Sequence, residues 1–264
     1  MTAATETAPI NAPETATREA DEKSAPGWRS LIVQPLLVLA GVAGFAIWRA
    51  TTTLSATESR QLGAAALWRS VIQHLELTAA SAAIVVVIAV PLGVALTRRP
   101  LRRFTGAVMA VANTGQAAPA IGLFVLFATW LGFGFRSTVV TLVLYAALPV
   151  LRNTMVGIQG VDPRLVEAGR GMGMSALAVL LRVEMPLAVP VLLAGVRTAL
   201  VLLVGTATLA TFIAGGGLGL LINTGITLSL TSVLISGALL VALLALAVDW
   251  LGRVVEHVAR PKGL

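Results

Sequence analysis

Uncharged apolar stretches of about 20 residues recur along this chain, the length that an α-helix needs to cross the hydrocarbon core of a bilayer. Charged residues cluster between these stretches. The mean hydropathy of +0.90, with 57% hydrophobic and 12% charged residues, excludes an ordinary soluble domain. We therefore predict an all-α integral membrane protein with about six transmembrane helices.

The predicted spans follow the apolar runs. They lie at about 30–48, 77–97, 104–135, 137–156, 186–213 and 231–251. The third run is too long for one plain span and turns at Gly132–Gly134. A glycine-rich segment, 215–219, is interpreted as a tight turn or a close-packing site, and a short apolar segment follows it.

Four regions are predicted along the chain. Residues 1–27 are rich in Ala, Thr, Glu and Pro and are expected to form a disordered tail. Residues 28–70 hold the first transmembrane helix and an outer connection. Residues 71–256 form the transmembrane core, and 257–264 form a basic C-terminal tail.

One short loop carries four arginines and no acidic residue: Arg98, Arg99, Arg102 and Arg103. Basic loops stay on the cytoplasmic side, so we predict that this loop is cytoplasmic. With six crossings both termini then lie in the cytoplasm of a multi-pass plasma (inner) membrane protein.

Several function classes are excluded. The formal net charge of +7 comes from arginines at the ends of apolar runs, which are typical of membrane anchors rather than of nucleic-acid binding. There is no cysteine, and His74 and His257 are far apart near predicted span ends, where we expect them to be interfacial. A metal site is therefore not expected. No catalytic motif is present, so we predict a non-enzyme.

Four residues interrupt the apolar character of the third span: Asn113, Thr114, Gln116 and Pro119. Amides in hydrocarbon are costly unless paired or facing a cavity, so these residues either bond neighbouring helices or line a translocation pathway. Arg197 is predicted near the bilayer middle. No acid is expected at its depth, so backbone carbonyls or Gln116 are its predicted partners. Its role, structural or in the pathway, stays open.

The longest charged interruption is the segment Asp162–Pro186, which we name the elbow. Asp162 suits the N-cap of a short helix and Pro163 its first position. Glycines end that helix, and Ser175 can cap a second one that runs towards Pro186. A helix–glycine–helix elbow between two membrane segments has a shape suited to docking another protein.

The elbow resembles the EAA loop of ABC importer permeases, Glu-Ala-Ala-x3-Gly-x9-Ile-x-Leu-Pro. Its matching or similar positions are Glu167, Ala168, Gly169, Gly173, Val183, Met185 and Pro186. Gly169 replaces the second alanine. The resemblance implies the type I importer permease fold, with this loop as a cytoplasmic coupling helix. It also implies that Glu167, Ala168, Gly169, Gly173 and Pro186 couple the chain to an ATPase subunit.

The segments 205–210, 213–219 and 116–119 look most like the osmoprotectant branch of that family. The resemblance implies a permease subunit of an ATP-driven importer for glycine betaine, choline or carnitine. The implied partners are an ABC ATPase that binds ATP and Mg²⁺, a second permease (the same or a paralogue), an extracytoplasmic binding protein and membrane lipid. This chain itself needs no cofactor. The alternatives are a permease for an amino acid or anion, and an ion-coupled secondary transporter.

Overall fold

The computed structural model describes residues 28–259. The predicted disordered tail, 1–27, lies outside the described residues, as do residues 260–264 of the predicted basic tail. Within the described range the chain forms helices and no strand. The prediction of an all-α membrane protein is confirmed.

The described residues contain five segments that are long and apolar enough to cross a membrane. Four of them are single α-helices: α1 (Trp28–Thr51), α3 (Ala64–Leu96), α6 (Phe135–Gln159) and α11 (Thr231–Ala259). The fifth, 176–213, joins α8 (Ala176–Val179), a π turn (Leu180–Glu184), α9 (Met185–Thr206) and a 3₁₀ helix (Ala207–Ile213). The shorter helices are α2 (Ala56–Gln61), α4 (Thr105–Ala117), α5 (Ala120–Leu131), α7 (Pro163–Gly171) and α10 (Gly219–Thr227).

The third apolar run is a broken span, as its length predicted. A 3₁₀ turn (Arg102–Phe104) leads into α4, and the axis bends by 103° between α4 and α5. Ala118 between them is extended, with φ −64° and ψ 145°. The proline at 119 causes this, because its ring disfavours the helical conformation in the residue before it. Counted as one span, this pair makes six.

The predicted span ends are wrong in three places. Helix α3 begins at Ala64 rather than near Leu77, and α11 continues to Ala259 rather than ending near Leu251. The fifth span begins at Ala176 rather than at Pro186. The physical reason is the same each time. An apolar run shows where a helix meets hydrocarbon, whereas a helix continues through polar residues until a cap or a breaker stops it.

The centre of the molecule is α6, which packs between α3 and α9. Glycines set these close approaches. A Cβ at Gly93 of α3 would lie 2.8 Å from Thr154 Cβ of α6, and one at Gly157 of α6 would lie 3.0 Å from the carbonyl oxygen of Ala188 in α9. Without a hydrophobic drive between helices in lipid, small residues that let backbones approach are what make such contacts strong.

The segment 215–219, which we name the glycine turn, is both a tight turn and a close-packing site, as predicted. Gly216 and Gly217 have φ values of +80° and +87°, which L-residues rarely adopt. A Cβ at Gly219 would overlap the Thr208 backbone. Next to the turn, α10 packs against α11.

Candidate functional site: the elbow and the polar cavity

The first helix of the elbow forms as its sequence predicts. The Asp162 carboxylate accepts a hydrogen bond from the Arg164 backbone N–H at 2.9 Å, and Pro163 occupies the first turn of α7. This cap satisfies one of the N–H groups that every helix start leaves without a partner. The helix ends at Gly171, and Gly173 follows in the left-handed region with φ +81°.

The second helix of the elbow is the start of the fifth span. The Ser175 hydroxyl accepts from the Ala178 N–H at 3.2 Å, which confirms the predicted cap. Helix α8 then widens into the π turn and continues as α9. Pro186 lies in the first turn of α9 and has no N–H to donate, which fits a wider turn immediately before it. The second half of the elbow, made of α8 and the π turn, is therefore continuous with α9.

The predicted coupling residues differ in exposure. Glu167, Ala168 and Gly173 face outward, and Gly169 is buried. In the described part of the chain Glu167 makes no ion pair. A Cβ at Gly169 would lie 3.4 Å from Val179 and 3.6 Å from Val183, which is ordinary van der Waals distance. The glycine in place of the family's alanine therefore lies where α7 packs on the following turn, not on the outer face.

Apolar side chains surround the outward face of the elbow. Four of them are 47–70% exposed: Leu165, Met172, Leu177 and Leu181. Several large exposed apolar side chains on a surface outside lipid are typical of a site that a partner covers. The elbow therefore has the composition of a docking surface.

The elbow also meets the arginine-rich loop. Arg98, just after α3, forms a two-armed ion pair with Glu184 at the end of the π turn, with Arg98 Nη1 3.1 Å from Glu184 Oε1. The elbow and this loop therefore lie at the same end of the bundle, which agrees with the charge pattern.

A polar cavity of about 750 Å³ lies among α4, α5, α6, α9, the following 3₁₀ helix and α11. Its lining carries several polar groups: Gln116, Tyr145, Arg197, Thr198, Thr206, Thr208 and Asp249. The Thr198 and Thr208 hydroxyls donate to the carbonyls of Ala194 and Gly205. The Tyr145 hydroxyl donates to the Ala118 carbonyl at 3.4 Å.

The partners predicted for Arg197 are wrong. Arg197 Nε lies 2.7 Å from Asp249 Oδ1 and Nη1 lies 3.3 Å from Glu256 Oε2. Arg253 bonds the other oxygen of Asp249 at 3.0 Å. From the sequence no acid is expected near Arg197, because Asp249 is two residues from the end of a sixth span predicted to finish at 251, whereas α11 continues to Ala259. These two arginines and two carboxylates, which we name the charge network, carry formal charges that cancel.

The cavity brings together only part of the predicted pathway. Gln116 and Arg197 line it, whereas Asn113, Thr114 and Pro119 do not. Asn113 and Thr114 are exposed on α4, and Pro119 is exposed at the break between α4 and α5.

His74, which is predicted to be interfacial, packs inside the bundle. It is fully buried, and its two ring nitrogens bridge two other segments. The Leu218 N–H donates to Nδ1 at 3.2 Å, and Nε2 lies 2.9 Å from the Val204 carbonyl oxygen. Since an N–H only donates and a carbonyl only accepts, the ring is neutral with its proton on Nε2.

Other polar contacts were not predicted. Gln34 Nε2 of α1 donates to Asp249 Oδ2 at 3.0 Å, and the Trp250 indole donates to the Leu31 carbonyl at 2.7 Å. These two bonds attach the first span to α11. One signal was available, because Asp249, Arg253 and Glu256 follow i, i+4, i+7 spacing and so share one helix face. Among residues 28–259 no three His, Asp or Glu side chains form a group that could hold a metal.

The sequence matches a known family over residues 89–260, the binding-protein-dependent transport system inner membrane components. It is 42% identical to the glycine betaine/carnitine/choline transport system permease protein of Bacillus subtilis over 192 residues, 73% of this chain and 88% of the relative. It is 39% identical to the osmoprotectant import permease protein of Salmonella typhimurium over 197 residues, 73% of this chain and 91% of the relative.

The fold is similar to that of solved transporters. An inward-facing structure of the MetNI methionine ABC transporter superposes with a TM-score of 0.68 at 24% identity, covering 79% of this chain and 100% of the solved chain. A crystal structure of an amino acid ABC transporter with histidines gives 0.63 at 18% identity, covering 78% and 99%. The predicted permease fold is confirmed.

Proposed function

The chain belongs to the binding-protein-dependent transport system inner membrane components and is a permease subunit of an ABC importer; we propose that it transports quaternary-ammonium osmoprotectants such as glycine betaine, choline or carnitine. The proposed substrate class rests on one observation, the sequence identity to permeases whose names state these solutes. A permease of this family works with an ATPase and a substrate-binding protein.

We propose that the elbow docks in a cleft of a separate ABC ATPase, which binds the ATP and Mg²⁺. Glu167 offers an exposed carboxylate there, and the elbow also exposes apolar side chains such as Leu165 and Met172. A second permease, the same or a paralogue, completes the membrane part, and an extracytoplasmic binding protein delivers the solute. ATP binding would then move the elbows and change which side the cavity faces.

We propose that the end of the bundle with the elbow is cytoplasmic. The support is the arginine-rich loop at the same end, held to the elbow through Arg98 and Glu184. With six crossings both termini are then cytoplasmic. A single cysteine beside Gly173 in this cysteine-free chain should react with an impermeant thiol reagent only from the cytoplasmic side. Labelling from outside intact cells would contradict this orientation.

The polar cavity is our candidate for the pathway, with Gln116, Tyr145 and the Arg197–Asp249 pair as its polar groups. Because the formal charges of the charge network cancel, the wall has no net charge with which to trap a zwitterion. The half-buried ring of Tyr145, which lines the cavity, can also contact a quaternary ammonium group. Asn113, Thr114 and Pro119 stay candidates for a part of the pathway outside this cavity.

Uptake by the whole complex tests the substrate class and the pathway together. Labelled choline and glycine betaine should accumulate only with ATP and the ATPase, and should persist when the ion gradient is collapsed. Uptake that depends on the gradient would identify a secondary transporter, and uptake of an amino acid or an anion alone would contradict the substrate class.

The same assay tests Gln116. We expect Gln116→Leu to lower uptake while the amount of assembled complex is kept. Gln116→Glu should shift the preference towards cationic choline, because it adds an attractive charge to the wall. Asn113→Leu, outside the cavity, tests in the same assay whether the pathway extends beyond it. Equal uptake of both solutes by wild type and both Gln116 variants would show that Gln116 is packing.

A further inference from the structure

The ion pair between the arginine-rich loop and the elbow has a role beyond packing. We infer that Arg98 and Glu184 are positioning residues of energy coupling, which fasten α3 to the elbow so that both move together. This inference rests on the proposed docking of the elbow on an ATPase. The role differs from that of Glu167, which would touch the ATPase itself.

The pair is well placed to carry force. Both nitrogens of the Arg98 fork bond Glu184, a geometry that fixes orientation as well as distance. The Glu184 side chain is only 8% exposed, and that of Arg98 is 35% exposed. The two residues lie 86 positions apart in sequence, so their bond joins segments that the chain does not connect locally.

Each residue lies at a junction. Arg98 follows the end of α3 by two residues, and Glu184 ends the π turn directly before α9. π turns interrupt the regular hydrogen bonding of a helix and are frequent at functional sites. The ion pair therefore lies at the π turn through which the elbow continues into α9.

Helix α7 rests on the same turn. Gly169 of α7 lies close to Val179 at the end of α8 and to Val183, the residue before Glu184. A displacement of α7 is thus passed to the turn by packing, to α9 by the continuous helix and to α3 by Arg98. Since α6 packs closely between α3 and α9, these three helices form one block beneath the elbow.

The neighbouring arginines show that the pair is not needed for orientation in the membrane. Arg99, Arg102 and Arg103 are all exposed. None of the three has an ion pair within the part of the chain that the structure describes. Their charges alone satisfy the rule that basic loops remain cytoplasmic. Only Arg98 of this loop reaches the elbow.

The test is the ratio of solute taken up to ATP hydrolysed, measured on the complete complex in liposomes. We expect Arg98→Ala and Glu184→Ala each to lower this ratio at least about fivefold, a typical coupling effect, while the complex still hydrolyses ATP. Arg98→Lys keeps the positive charge but not the two-nitrogen fork of the guanidinium. Its ratio should lie between that of wild type and that of Arg98→Ala. Arg99→Ala is the matched control and should keep the wild-type ratio.

The exchange variant Arg98→Glu with Glu184→Arg separates pairing from single-residue effects. It should recover at least half of the wild-type ratio. A recovery no better than the single variants, or unchanged ratios in those variants, overturns the inference. Glu167→Lys, measured in parallel, separates the two proposals. If Glu167→Lys transports normally, the docking proposal fails, whereas if only Glu167→Lys loses transport, the ion-pair role alone fails.

Discussion

The two ends of the helix bundle use glycine for opposite purposes. The glycine turn and the elbow are about 36 Å apart along α3, judged from His74 at one end and Arg98 at the other at 1.5 Å per residue. At the elbow, Gly171 and Gly173 have no atom within 4 Å of an added Cβ. At the glycine turn, the added Cβ atoms meet other segments.

Other segments of the chain pack closely against the glycine turn. A Cβ at Gly216 would lie 2.8 Å from Gln73 Oε1, and one at Gly217 would lie 3.0 Å from His74 Nδ1. Gly134 N–H donates to the Ile213 carbonyl at 2.7 Å, which attaches the start of α6 to the same end. One end is therefore built to hold the helices together, and the other leaves its surface free for a partner.

The largest expected effect is a loss of stability at the end that holds the glycine turn. Gly219→Ala places a methyl group in the Thr208 backbone, and overpacking of this kind should lower the free energy of unfolding by about 3 kcal/mol. Gly171→Ala at the open end should change it by less than about 0.5 kcal/mol. Thermal unfolding of the purified permease in detergent measures both. Equal losses at the two ends would contradict the comparison.

The next effect acts on transport rather than on folding. Glu167→Lys reverses the charge offered to the ATPase, and Gly173→Trp forces a bulky residue into a positive φ. Both should lower uptake at least about tenfold, the equivalent of 1.4 kcal/mol, while the permease still inserts. ATP hydrolysis should no longer respond to loaded binding protein. Normal uptake by both variants would reduce the elbow to a linker.

A smaller effect concerns the hydrogen bonds that close the glycine turn. His74→Leu leaves the buried Leu218 N–H without an acceptor, which should lower the free energy of unfolding by about 1–3 kcal/mol. His74→Gln is the matched control, because an amide can accept from Leu218 and donate to Val204. It should recover part of the loss in the same unfolding measurement. No difference between the two variants would show that packing alone holds this end.

The same contrast explains which features the sequence predicts. The elbow is made by contacts two or three residues apart, such as Asp162 with Arg164 and Ser175 with Ala178. Capping and proline rules cover contacts of this length, so both helix starts and the break at Pro119 were predictable.

The features that were missed depend on contacts far apart in sequence. Arg197 and Asp249 are 52 positions apart, and His74 and Leu218 are 144 positions apart. Which residues meet across these distances depends on how whole helices cross and where they end. Asp249 was placed too near the surface because α11 continues eight residues past the end of its apolar run.

The smallest expected effect concerns Gly169, a glycine of the elbow that is packed, unlike Gly171 and Gly173. Alanine there should raise the free energy of unfolding by about 0.5–1 kcal/mol, because glycine in a helix is less favourable than alanine by about that amount. Its methyl group would meet Val179 and Val183 at 3.4–3.6 Å, which requires no displacement. Uptake should equal that of wild type, because the substitution lies on the inner face of α7 and leaves the docking face unchanged.

Gly169→Val is the contrasting variant, since its extra methyl groups would push α7 off the turn and lower both stability and uptake. Unfolding temperature and uptake per assembled complex measure the two effects separately. A stable Gly169→Ala variant that fails to transport would show that this inner contact must loosen during the cycle, and that the elbow does not move as one rigid piece.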